Sequence, residues 1–128
     1  MKIDGKPYRS IWVNEDGWSA GIIDQTRLPH EFVTLRLATL EEAARAIETM
    51  LVRGAPLIGA TAAYGVALAM QDDPSDDALK SAYDRLARTR PTAVNLRWAL
   101  DAMMAALKPL GANARAEAAY AKASEICD

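Results

Sequence analysis

Val52-Arg53-Gly54-Ala55-Pro56-Leu57-Ile58-Gly59-Ala60-Thr61-Ala62-Ala63-Tyr64-Gly65-Val66-Ala67-Leu68-Ala69-Met70 is the stretch whose reading decides the fold. From Ala55 to Met70 no residue carries a charge. A helix over these residues has no wet face, so it must run through the interior of something larger. A bilayer span needs about 20 apolar residues, which this stretch does not reach. The place left for it is the middle of a helical core. Its mouth is unusual as well. Arg53 and Gly54 stand just ahead of Pro56, and proline is favoured in the first turn because its missing N–H has no helical partner there. Free N–H groups, the positive end of the helix dipole, a close-approach glycine and a guanidinium converge at one point. That is the chemistry of an anion site, most simply a phosphate site. The same residues also suit a structural role, with Arg53 serving a carboxylate from another segment and Gly54 only making the turn.

Working towards the N-terminus, residues 8 to 37 read as β-structure. Ser10-Ile11-Trp12-Val13 is a run of strand formers, Glu15-Asp16-Gly17 a turn, and Trp18-Ser19-Ala20-Gly21-Ile22-Ile23 the returning strand. Asp24-Gln25-Thr26-Arg27-Leu28-Pro29 connects, and Glu31 to Leu37 alternates as a third strand with one buried face. Thr39 with Glu42 forms a capping box that opens a first helix. Leu40, Ala43, Ala44, Ile47 and Leu51 fall on one face of it.

Towards the C-terminus, Gln71 to Asp77 is a polar break with Ser75 as a cap. Its aspartates sit where a helix dipole favours them. A calcium loop is not expected, because the required glycine and distal glutamate are missing. Leu79, Tyr83 and Leu86 mark the inner face of a third helix. Thr89 to Leu96 breaks it and starts a fourth: Pro91 disfavours a helical Arg90, Thr92 is the expected cap, and Leu96, Leu100, Met103 and Leu107 line the inner face. A fifth, alanine-rich helix runs from about Asn113 to Cys127, with Ala116, Ala119, Tyr120 and Ala123 inward. Gly59 and Gly65 each cost about 1 kcal/mol against alanine inside a helix, so close approach of neighbouring elements is their expected use.

The fold class expected is α+β: a small N-terminal antiparallel sheet of about three strands over residues 1–38, then a bundle of about five helices over 39–128. Of 128 residues, 51% are hydrophobic and only 6% aromatic, with much of the apolar share alanine, which suits closely packed helices. A net charge of −2 gives no global attraction to nucleic acid. The single Cys127 excludes an internal disulfide, and the single His30 argues against a histidine-based metal site or a serine triad. The first residues contain no apolar run of a signal peptide. A cytoplasmic location, with no membrane partner, is expected.

Two places share one design. Arg53-Gly54-Ala55-Pro56 and Arg90-Pro91-Thr92 each put an arginine at the mouth of a helix. Two guanidiniums facing one cavity hold a phosphorylated small molecule better than one, and their planar forks fix its orientation. Asn95, one turn into the fourth helix, suits either a ligand or a neighbouring loop.

At these residues the chain resembles a known family. Val52 to Gly59 and Arg90-Pro91-Thr92-Ala93-Val94-Asn95-Leu96 are similar to signature segments of the methylthioribose-1-phosphate isomerases, as is Asp24-Gln25-Thr26 with Leu28-Pro29-His30. The resemblance runs from about Tyr8 to the end. The wider family includes regulatory subunits of a translation-initiation exchange factor and a ribose-1,5-bisphosphate isomerase. The resemblance implies an N-terminal domain of an aldose–ketose isomerase converting 5-methylthioribose 1-phosphate to 5-methylthioribulose 1-phosphate in methionine salvage. It implies a homodimer in the full-length protein, no metal or other cofactor, and substrate contacts at Arg53, Gly54, Ala55 and Arg90. The family's catalytic cysteine and aspartate lie in a C-terminal Rossmann-like domain that this chain lacks. No catalytic residue is therefore expected among the 128, Cys127 and His30 included, and the fragment alone is expected to be inactive. The alternatives are a non-catalytic regulatory domain that binds a sugar phosphate or nucleotide, and a purely structural helical domain.

Overall fold

Ten elements follow one another in a computed structural model, which describes residues 2–3, 6–7, 11–14, 16–23, 34–49, 55–90 and 93–127. Five are strands: β1 (Lys2–Ile3), β2 (Lys6–Pro7), β3 (Ile11–Val13), β4 (Ala20–Ile23) and β5 (Thr34–Leu37). Five are helices: α1 (Leu40–Glu48), α2 (Ala55–Asp72), α3 (Asp76–Ala87), α4 (Val94–Leu107) and α5 (Ala112–Cys127). The α+β architecture expected from the sequence is present. The β1–β2 pair is an addition that the apolar pattern did not announce.

The three-stranded sheet has the order β3-β4-β5, antiparallel throughout. Its register places Ile11 opposite Ile22 and Ile22 opposite Leu35, and likewise Val13, Ala20 and Leu37 across the sheet. The turn between β3 and β4 is held by one carboxylate. Asp16 accepts from the backbone N–H groups of Trp18 and Ser19 and from the Ser19 hydroxyl, while Gly17 takes φ +82°. Those bonds, the Ser19 hydroxyl foremost, hold the Asp16 carboxyl far below the usual range. Arg36 of β5 reaches back to the same carboxylate and lies over the Trp18 ring at 5.0 Å. The expected one-sided burial of the third strand holds only at its end. Thr34, Leu35 and Arg36 are exposed, and Leu37 is the residue that enters the core.

The helices begin where their caps dictate. Thr39 accepts from the Glu42 N–H at 3.1 Å, and Glu42 reaches back to the N–H of Ala38, one residue earlier than a standard box would have it. Ser75 caps α3 through the Ala78 N–H. At α4 the cap position is Ala93 rather than the expected Thr92, and no side chain caps it. Thr92 itself lies outside the described residues.

α2 is the axis of the domain. Every residue described on it from Leu57 to Met70 is buried. It packs against α1, α3, α4, α5 and β3, each of which presents small or branched apolar side chains to it. Leu96, Leu100, Met103 and Leu107 of α4 are all buried, as the sequence pattern predicted. On α5, Ala119 and Ala123 are buried, Ala116 and Tyr120 only half-buried, and Arg115, an unforeseen core residue, is 4% exposed. Among the described residues no helix is long and apolar enough to cross a membrane.

Candidate functional site

α2 and α4 run side by side in the same direction, and two sets of contacts fix this. At their beginnings, a Cβ added to Gly59 would lie 3.1 Å from the Asn95 carbonyl oxygen and 3.5 Å from the Ala99 Cβ. Gly59 is thus the close-approach residue the sequence suggested, and its partner is the first turn of α4. Gly65 plays the same part deeper in the core, against Leu86 and Ala43. At the far ends, Arg115 ties the two helices together. Its Nε–H donates to the Leu107 carbonyl at 3.0 Å and its two terminal nitrogens to the carbonyls of Pro74 and Lys108 at 3.0 and 3.1 Å. Pro74 lies just past α2, and Leu107 and Lys108 end α4, so one guanidinium satisfies the orphan carbonyls of both. Asp76, at the start of α3, pairs with the same group.

Because both helices start at one end, their dipoles add there. The four long-helix starts differ in a consistent way. α1 and α3 carry acids in the first turn, Glu41 and Glu42 in one and Asp76 and Asp77 in the other, and each has a side-chain cap. α2 and α4 carry no acid in the first turn, and α4 has no side-chain cap. Their N–H groups and positive ends are therefore not neutralised by the protein's own acids.

Of the predicted site residues, the structure describes two. Ala55 is the first residue of α2, and Arg90 sits in the turn before α4. The Arg90 carbonyl accepts from the Ala93 N–H at 2.9 Å, which closes that turn and sets the residue at the mouth of α4. Its side chain is half-buried, and among the described residues it makes no ion pair. Arg53 and Gly54 lie outside the described residues, as do His30 and the side chain of Cys127. Asn95 exposes its side chain, and it is its backbone carbonyl that meets Gly59.

α4 is braced from the other side by α3. The Tyr83 hydroxyl donates to Asp101, and that bond, with some burial, pushes the phenol above its usual value. The sequence reading missed Arg115, the residue that sets the relation of α2 to α4. A signal was present: Arg115, Ala119 and Ala123 recur every four residues, so the arginine stands on the buried stripe of α5.

Comparison with known proteins fits this geometry. The model of the Initiation factor 2 subunit family matches residues 51–128. A methylthioribose-1-phosphate isomerase of Paramagnetospirillum magneticum is 64% identical over 128 residues, which is all of this chain and 35% of that protein. The crystal structure of 5-methylthioribose 1-phosphate isomerase from Pyrococcus horikoshii superposes with a TM-score of 0.85 at 34% identity, over 94% of this chain and 36% of that one. The translation initiation factor eIF-2B subunit delta from A. fulgidus does so with a TM-score of 0.84 at 36% identity, again over 94% and 36%. The chain spans about a third of the length of these relatives.

Proposed function

This chain belongs to the Initiation factor 2 subunit family, and from that premise we propose that it is the N-terminal, substrate-contacting domain of an aldose–ketose isomerase acting on 5-methylthioribose 1-phosphate. The observation that carries this reading is the pairing of two helix mouths free of acids, with Arg90 beside one of them. Arg53, two residues ahead of α2, supplies the second guanidinium. A phosphate needs dispersed positive charge and several N–H donors, and two converging helix starts with two arginines provide both. Gly54 and Ala55 offer backbone donors with little side chain in the way.

The absence of acids in the first turns of α2 and α4 serves the same end, since a carboxylate there would repel a phosphate. Binding the phosphate at a fixed point lets the sugar be held while chemistry proceeds at its other atoms. That chemistry falls to residues beyond this region, in a C-terminal Rossmann-like domain of the longer polypeptide. The fragment alone is inactive on this reading, and the full-length protein is a cytoplasmic homodimer.

A second reading has its own support: the eIF-2B delta subunit matches as closely as the isomerase in shape and identity. On it, the same mouth senses a sugar phosphate or nucleotide without turnover. One experiment separates the two. Arg53→Ala and Arg90→Ala are introduced into the natural full-length polypeptide, and isomerisation of the sugar phosphate is measured. Loss of a charge-assisted fork costs about 1.5–3 kcal/mol per hydrogen bond. kcat/KM should therefore fall by about 100-fold or more for either variant, at about 1.4 kcal/mol per factor of ten. Turnover that ignores both substitutions refutes the isomerase reading. A wild-type protein that binds the sugar phosphate but never converts it supports the sensor.

A further inference from the structure

Val94 is 78% and Trp98 60% exposed, the two most exposed large hydrophobic residues described. Four residues apart, they stand one above the other on the same face of α4. Asn95, Arg97 and Asp101 around them are exposed and polar, so the patch has an apolar centre and a wet rim. It lies in the first turns of α4, beside the mouth described above.

We propose that this face is the docking surface for the part of the polypeptide that the relatives carry beyond the region of this chain. The path of α5 brings that part close. α5 starts after the short turn at the end of α4, is pinned there by the Arg115–Leu107 bond, and runs back antiparallel along α4. At 1.5 Å per residue, the 16 residues of α5 rise about 24 Å and the 14 of α4 about 21 Å. The last turn of α5 therefore ends level with Val94 and Trp98. The relatives extend to about three times this length, and the chain leaves α5 at this end.

Area argues against a second copy as the occupant. Two side chains fall far short of the roughly 800 Å² per partner that a stable interface between separate molecules buries. A segment tethered next to the patch meets it at high effective concentration, so a small apolar anchor suffices. Tryptophan suits the role, with a broad apolar ring and one N–H to orient the partner. A domain seated there would close over the mouth of α2 and α4 and keep water from it. The inference rests on the relatives' length and on exposure, not on the identity of the ligand, so it stands or falls apart from the phosphate reading.

The test uses the natural full-length polypeptide and its Trp98→Phe variant. The difference between their fluorescence reports Trp98 alone, and acrylamide quenching of that difference reads its exposure. The expected result is quenching several-fold weaker than for free N-acetyltryptophanamide, unchanged on dilution. Quenching as strong as that of the free compound overturns the proposal. So does protection lost when dilution converts a dimer, followed by sedimentation velocity, to monomer, because the face then belongs to a second copy. A natural polypeptide that ends at Asp128 overturns it outright.

Discussion

Replacing Arg115 with methionine removes the clamp on α2 and α4 while keeping an unbranched apolar stem in the same groove. The side chain is 5% exposed and donates to three backbone carbonyls, those of Leu107, Pro74 and Lys108. A hydrogen bond to a charged group is worth about 1.5–3 kcal/mol, and an acceptor left bare in the interior costs its desolvation. The Leu107 bond is buried and takes the upper end of that range; the other two are part-buried, and water replaces much of what they give. The Asp76 partner is 86% exposed, so its ion pair adds no more than about 1 kcal/mol. The sum is about 4 kcal/mol, out of the 5–15 kcal/mol typical of a domain. The melting temperature should fall by roughly 10–20 °C. Urea unfolding followed by far-ultraviolet circular dichroism is the assay, read as a lower midpoint at an unchanged slope. Arg115→Lys, which keeps the charge but not the fork, should recover only part of the loss. A loss below about 1 kcal/mol in the methionine variant refutes the reasoning, because the three carbonyls would then be satisfied without the guanidinium.

The remaining predictions concern groups elsewhere in the domain. Arg85 of α3 bridges Glu41 and Glu48 of α1, and its hydrogen bonds hold both carboxyls below the ordinary value of 4.5. Native carboxylates that resist protonation stabilise the fold fully above that value and lose the contribution as pH falls through their folded pKa. Melting temperatures measured between about pH 5 and 3 should therefore fall less steeply in Arg85→Met than in the wild type; equal slopes would exclude the link. The Tyr120 hydroxyl is buried with no hydrogen-bond partner among the described residues, and burial, helped by the charge of Asp16, pushes its pKa up to about 12. Tyr120→Phe removes a polar atom that gains nothing from being there, so urea unfolding should show equal or higher stability. A loss beyond about 1 kcal/mol would mean that the hydroxyl is bonded.

Much of the fold was legible because it rests on short-range physics. Thr39 and Ser75 begin helices because a side-chain oxygen three residues upstream meets a free N–H, whatever surrounds it. The four-and-three spacing of Leu96, Leu100, Met103 and Leu107 marks one face of any helix. The start of α4 was read one residue early, because Thr92 is the better cap by type and the turn closed by the Arg90 carbonyl put Ala93 there instead. The β1–β2 pair escaped notice because two-residue strands leave no period to detect.

The candidate site divides along the same line. Sequence alone determined that α2 is buried on all sides, that its first turn and that of α4 carry no acids, and that an arginine precedes each. Each of these is a property of neighbouring residues. Only the tertiary structure decided that the two helices run parallel with their mouths together, because that depends on Gly59 meeting the Asn95 carbonyl and on Arg115 gathering the ends of α2 and α4. Those partners lie 36 residues apart for Gly59 and Asn95, as 95 less 59, and 41 for Arg115 and Pro74. A helix's own period sets which of its faces is apolar; which other helix fills that face, and in which direction, is settled by packing the whole core at once.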